Sequence, residues 1–211
     1  MASAARGFHT AHVNAVHWFR ADLRLADNTA LAEAAARSER LACLFVLDDA
    51  LLASPRVGVP RLRFLRGCLE SLAADLAKRG HRLALRRGDP CREVAAFARE
   101  VGAQRVFWNR DTTPYARRRD AAVEAVLAKA GVAAHAFKDR VVFEGAELRT
   151  GEGRGYQVFT PFRNRWRARF REAAPPEPKP LRLPPPLASK DDADLLGTLP
   201  RLEDGIALPS A

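Results

Sequence analysis

Cysteine is scarce: three occur in 211 residues, at positions 43, 68 and 91, and no two form a C-x-x-C pair. Isolated thiols exclude a disulfide framework and a cysteine-based zinc site, and they suit a reducing, cytosolic setting. Long apolar runs are also missing. None approaches the ~18–20 residues a spanning helix needs. The opening segment, Met1–Asn14, lacks the apolar core of a secretory signal, and residues 1–12 read as a flexible tail. The five histidines (9, 12, 17, 81 and 135) show no metal-ligand spacing. No Ser/His/Asp or Cys/His nucleophile arrangement is legible.

Lysine is the other scarcity. The net charge of +10 rests on 30 arginines and only 5 lysines against 25 acidic residues. Arginine suits forked hydrogen bonding to phosphate and carboxylate, and a positive field draws polyanions. A high-GC genome produces the same Ala- and Arg-rich, Lys-poor composition, and both readings stand. Arg117-Arg118-Arg119 likewise reads either as a solvated surface run or as a phosphate clamp.

What is present is ample for a core: 47% of the residues are hydrophobic. Short apolar runs alternate with helical stretches through the first two thirds. Val13–Arg20 reads as a strand, and Asp27-Asn28 caps a helix over Thr29–Arg37. Leu41–Leu47 is a continuous apolar run, the pattern of a strand buried on both faces. Leucines at 62, 65, 69, 72 and 76 put one apolar stripe on a helix over Pro60–Arg79, which Gly80 ends. Arg82–Arg86 is a third strand. Gly88-Asp89-Pro90 then supplies a turn, an N-cap and a helix start for Cys91–Val101. Gln104–Asn109 is a fourth strand, Thr113-Pro114 opens a helix through Ala130, and Val132–Phe137 is a fifth strand. This alternation predicts an α/β fold: a doubly wound, Rossmann-like, five-stranded parallel sheet with the first strand central and helices on both faces.

The pattern then changes. Gly145–Gly155 is loop-like, and its glycines at 151, 153 and 155 do not sit between a strand and a helix as a dinucleotide loop must. Phe159–Arg171 is a basic, aromatic helical segment. In Pro175–Pro186 seven of twelve residues are proline, the composition of an extended, semi-rigid linker. The organisation expected is a tail over 1–12, an α/β domain over 13–171 and a Pro-rich linker or tail over 172–211, too short after the prolines for a second core.

In an open parallel sheet the ligand site lies beyond the carboxyl ends of the strands, where the strand order reverses. Two loops converge there, Ala21–Arg24 after the first strand and Asn109–Pro114 after the fourth. A third, Asp48–Pro60, is long enough to cover a ligand. By geometry Asp22, Asn109 and Asp111 are either capping and turn residues or ligand contacts.

The same loops carry a resemblance. His17–Asn28 (HWFRADLRLADN) resembles the W-F-R-x-D-L-R-x-x-D-N opening of the photolyase/cryptochrome family. Further blocks follow in family order: LFVLD at Leu44–Asp48, RLRFLRGCLESL at Arg61–Leu72, GDP at Gly88–Pro90 and WNRDTTPYARRRD at Trp108–Asp120. GYQVFTPFRNRW at Gly155–Trp166 is similar to the block that closes the family's N-terminal domain. Together the blocks span about Val16 to Trp166.

The resemblance implies the antenna-chromophore domain of a deoxyribodipyrimidine photolyase-like protein, a family of carbon–carbon lyases. In that family a separate helical domain holds FAD, binds DNA and repairs it with light. No block of that domain is present, so FAD is not expected on this chain, repair by it alone is not expected, and DNA would be met only indirectly. A folate antenna sits between the two domains, whereas a deazaflavin or FMN antenna lies mostly inside the α/β domain. The resemblance therefore favours deazaflavin or FMN, with folate as the alternative. The chromophore-binding residues it implies are Arg20, Phe45, Asp48, Leu51, Arg61, Asn109 and Asp111. Two positions depart from the pattern: Thr113 stands where the family often has an acid, and Gly155 where proline is common. The expected partners are a small-molecule chromophore and a separate FAD-binding domain, with no membrane and a cytoplasmic location. The alternative is a stand-alone pigment- or nucleotide-binding module that signals or docks without catalysis.

Overall fold

The apolar run that starts at Leu41 becomes the most buried strand of the molecule, with every residue from Leu41 to Asp48 inside. In the computed structural model the described residues are 13–145, 147–174, 177–178, 180–189 and 195–201. The expected tail over 1–12 lies outside them. The elements are β1 (Asn14–Phe19), α1 (Thr29–Ala36), β2 (Arg40–Asp48), α2 (Asp49–Leu52), α3 (Val59–Ala77), β3 (Leu83–Gly88), α4 (Pro90–Glu100), β4 (Arg105–Asn109), α5 (Pro114–Lys129), β5 (Ala133–Phe137) and α6 (Phe159–Glu172). The predicted strands and helices are present to within a few residues. Among the described residues two short additions appear: α2, a single turn inside the loop after β2, and a 3-10 turn at Leu196–Thr198.

All strand pairs are parallel and the order is β3-β2-β1-β4-β5. With β1 central, the right-handed crossover rule decides which face each helix covers. Right-handed crossovers carry the chain outward through β2 and β3, then back across β1 to β4 and β5. This puts α1 and α3 on one face and α4 and α5 on the other. Alternate side chains feed the two layers. Ala15, Phe19, Leu41, Cys43 and Phe45 pack with Leu31 and with Leu69, Leu72 and Leu76. Val16, Trp18, Leu44, Val46, Val106 and Trp108 pack with Val94, Phe97, Val123 and Leu127.

The helix starts follow their local chemistry. Asn28, Asp89 and Thr113 each accept a backbone N–H as N-caps, and Pro90 and Pro114 open their helices. Gly80 closes α3 at φ +72°, a conformation that costs an L side chain strain.

Within the proline-rich region, residues 180–189 are extended and lie against the domain. Pro186 bridges Leu41 at the start of β2, where β3 has not yet begun. The Leu41 N–H donates to the Pro185 carbonyl at 3.0 Å, and the Leu187 N–H donates to the Leu41 carbonyl at 3.0 Å. His81 Nε2 meets the Pro184 carbonyl at 2.8 Å, so that nitrogen carries the proton. Farther on, Leu199 is buried in the α3 layer and its carbonyl accepts from Arg66 at 2.7 Å. Composition marks this stretch as non-helical, but its docking depends on leucines 181, 183, 195, 196 and 199, which pack on the α3 layer. None of the residues of α6 is buried.

Candidate functional site

A cleft of about 630 Å³ opens at the carboxyl ends of β1 and β2. Its walls are apolar. Leu51, Leu52 and Val57 come from α2 and the loop behind it, Leu62, Phe64 and Leu65 from the first turns of α3, and Phe45 from β2. Its polar groups come from the segment after β1 (Arg20, Asp22, Arg24), from Asp48 at the end of β2, from Arg61 on α3, from Asp111 after β4 and from Arg119 on α5. Six of the seven residues named from the resemblance line this one cleft: Arg20, Phe45, Asp48, Leu51, Arg61 and Asp111. Asn109 does not.

Asn109 is instead the centre of a buried network. Its Nδ2 donates to Asp22 Oδ2 at 2.6 Å and to Asn28 Oδ1 at 2.8 Å, and its Oδ1 accepts the Ala30 N–H at 2.9 Å. Both amide hydrogens and one lone pair are thus used within the protein. The network ties the end of β4 to the loop after β1 and to the start of α1. Asp22 completes it by accepting the Arg20 N–H at 2.8 Å, and Asn28 by donating to the Arg24 carbonyl at 3.1 Å. Of the two readings open at Asn109 and Asp22, the structure shows turn and scaffold contacts for both.

Arg20 is also anchored. Its guanidinium pairs with Asp120 at 2.5 Å, donates to the Asn109 carbonyl and lies 4.9 Å from the Trp18 ring centre. Burial pulls its pKa down, against the attraction of Asp120. The same Asp120 oxygen accepts from Arg119 at 3.0 Å, and Arg119 also lies against Trp18, at 5.0 Å. Asp111 accepts the Thr113 N–H at 3.0 Å in a tight turn and pairs with Arg140 at 3.0 Å. Burial raises its pKa, but the Thr113 N–H with Arg140, Arg20 and Arg119 outweighs this and holds the carboxyl below its usual range. Asp48 caps α2 and accepts the Tyr115 hydroxyl at 2.5 Å. Arg61 donates only to the Arg56 carbonyl, at 3.1 Å, and has no carboxylate partner among the described residues. Leu51 is 41% exposed at the mouth and Phe64 71%.

Sequence reasoning missed Asp120 and Tyr115, and Arg119, read there as part of a solvated run or a phosphate clamp, instead lines the cleft paired with Asp120. Asp120 stands 100 residues from Arg20, and no local pattern links them. The α3 wall was legible in principle: positions 61, 64 and 68 form a second face of the helix beside the core stripe, and Leu62 and Leu65 at the stripe's edge line the cleft with them. A smaller cavity of about 240 Å³ beside Asp111 is lined by Arg110, Asp139, Arg140 and Glu144. Its charges are already paired, Arg110 with Glu144 and Arg140 with Asp111. Among the described residues no cluster of three His, Cys, Asp or Glu could hold a metal ion, and no helix is long and apolar enough to cross a membrane.

Comparison with known proteins places this geometry in context. The family model described as DNA photolyase matches residues 15–180. A deoxyribodipyrimidine photo-lyase from Synechococcus sp. is 36% identical over 185 residues, covering 88% of this chain and 37% of that protein. One from Halobacterium salinarum is 35% identical over 204 residues, covering 92% and 41%. Among solved structures, an archaeal photolyase from Sulfolobus tokodaii superposes with a TM-score of 0.76 at 25% identity, covering 89% of this chain and 41% of that one. That enzyme was solved with two FAD molecules, taken to imply a novel light-harvesting cofactor. The chain spans about two fifths of the length of these relatives.

Proposed function

The chain belongs to the DNA photolyase family, as the part matching its N-terminal α/β domain, and from that premise we propose that it binds a light-harvesting chromophore in the cleft above β1 and β2. The observation that carries the reading is the convergence of Arg20, Phe45, Asp48, Leu51, Arg61 and Asp111 on one apolar cleft at the sheet's switch point. Its volume falls within the ~300–1,000 Å³ common for small-molecule sites.

The residues fit a planar, partly anionic ligand. Phe45, Leu51, Leu52 and Leu62 offer flat apolar contact to a ring system. Arg61 offers a guanidinium without a carboxylate partner to an anionic group. Asp111, kept ionised, offers an acceptor to a ring or side-chain donor. Asn109 lies beneath the site as scaffold, and Asp48 is already engaged by α2 and Tyr115. A deazaflavin or FMN suits this arrangement, and the two flavins of the Sulfolobus tokodaii enzyme support a flavin ring. When bound, such a group would absorb light and pass on the excitation. The protein's part is to hold the ring and exclude water from it. Folate should bind less well, since its site in the family needs a wall from a second domain. In this reading DNA repair belongs to a helical FAD-binding domain beyond these 211 residues, and this domain meets DNA only through it. The three unpaired thiols suit a cytoplasmic setting.

Fluorescence titration with FMN, a deazaflavin, FAD and a reduced folate tests the proposal. FMN or deazaflavin should bind, and Arg61→Ala should weaken binding about tenfold, as expected for loss of a charge-assisted hydrogen bond. Preference for the folate, or equal affinity in Arg61→Ala, would overturn the assignment.

A further inference from the structure

The turn of helix that walls the cleft is too short to hold itself in place. An isolated single turn does not repay its nucleation cost in water, yet α2 carries Leu51 and Leu52 into the cleft. Asp48 and Tyr115 supply what the turn lacks. Asp48, 6% exposed at the end of β2, divides its carboxylate between two tasks. Oδ1 accepts the N–H groups of Ala50 at 3.1 Å and Leu51 at 3.4 Å, which sets the turn. Oδ2 accepts the Tyr115 hydroxyl at 2.5 Å, which ties the turn to α5.

Tyr115 is itself held from both sides. Thr113 caps α5 through the Ala116 N–H, and Pro114 starts the helix. One turn on, Arg119 lies 5.7 Å from the Tyr115 ring centre while it also packs on Trp18. Burial together with Asp48 pushes the phenol pKa up, so the hydroxyl stays protonated and remains a donor. Two other ties hold α2: Leu52 packs, partly buried, on the α3 layer, and Asp49 pairs with Arg87 at 2.8 Å, with both side chains about half exposed. A pair this wet contributes little.

We propose that Tyr115 and Asp48 form a latch that positions α2, so that the cleft's grip on a ring system depends on a hydrogen bond made away from the ligand. Both residues are positioning residues, since the described contacts of Asp48 point to α2 and α5. The latch stands on the structure alone, and its effect on a ligand rests on the flavin reading.

The test compares wild type, Tyr115→Phe, Asp48→Ser and the double variant as full chains. Serine keeps an N-cap oxygen but does not reach Tyr115. Amide hydrogen exchange without ligand reads the latch: either variant should speed exchange in residues 49–58 and leave the strands unchanged. FMN binding reads the consequence. Tyr115→Phe should raise Kd about three- to tenfold, chiefly through faster dissociation, and lower the fluorescence anisotropy of flavin bound at saturation. On the Asp48→Ser background Tyr115→Phe should have no further effect. Unchanged exchange in residues 49–58 would overturn the latch. Additive losses in the double variant would overturn action of Tyr115 through Asp48. Faster exchange in a chain that binds neither FMN nor a deazaflavin would uphold the latch and overturn the flavin reading.

Discussion

Replacing His17 with leucine removes an imidazole that is fully buried in the middle of β1. Neither ring nitrogen has a hydrogen-bond partner among the described residues, and the ring packs edge-on against Phe19 at 4.3 Å. Burial dominates its protonation. It outweighs Asp22 and Asp139, which favour the cation, and Arg20, which opposes it, adds to the effect. The pKa falls to about 4, from about 6.5 in an unfolded chain. With the folded value depressed, the unfolded state binds more protons between these limits. The contribution of His17 to stability is therefore whole above about pH 6.5, declines as pH falls, and levels off below about pH 4. At pH 5 the linkage amounts to about 2 kcal/mol relative to pH 7.5, rising to about 3 kcal/mol at the plateau. Burial also depresses His81 and His135, but both remain in the variant, so the difference between the two proteins isolates His17. Urea unfolding of wild type and His17→Leu at pH 7.5 and pH 5 measures it. Wild type should lose about 2 kcal/mol more than the variant between these pH values. Equal losses in the two proteins would show that the site admits a proton without cost, and would refute the argument.

Two other perturbations probe the scaffold. Asn109→Leu should lower stability by about 3 kcal/mol or more by orphaning the Ala30 N–H and the acceptors on Asp22 and Asn28; thermal or urea unfolding at pH 7.5 checks this, and a change below about 1 kcal/mol would contradict the network's weight. Leu199→Ala should cost about 2 kcal/mol, the low end for a buried leucine, because the side chain is 6% exposed in the α3 layer. Protease cleavage after Arg182 or Arg201 should become faster in that variant, and unchanged cleavage would mean the segment does not depend on Leu199.

The arginines of the cleft are used in two ways. Arg20 and Arg119 share Asp120, and Arg24 pairs with Asp139. These cations build the floor of the site and hold neighbouring loops together. Arg61 alone among the cleft's arginines makes no ion pair with a described residue, so the charge most available to a ligand stands on α3.

What the sequence determined by itself is what short-range physics controls. Apolar runs of strand length, leucines at helical spacing and the N-caps at Asn28, Asp89 and Thr113 act within a few residues. Repeated in β/α order, they point to a parallel sheet with right-handed crossovers, and the expected doubly wound order with β1 at its centre is the one observed. The family blocks pointed to cleft residues, and six of those seven positions converge. The exception is instructive: Asn109 ends a strand and is polar, as a ligand contact would be, but strands β1 and β4 lie side by side and bring it against Asp22 and Asn28. Only the tertiary structure decided that role, together with the pairing of Arg20 with Asp120, the hold of Tyr115 on Asp48 and the docking of residues 181–187 beside Leu41. Each joins segments far apart in the chain, and such contacts leave no periodic trace. They exist because buried polar groups must find partners and because a strand start without a neighbour leaves backbone groups to be paired, demands that arise only once the sheet has formed.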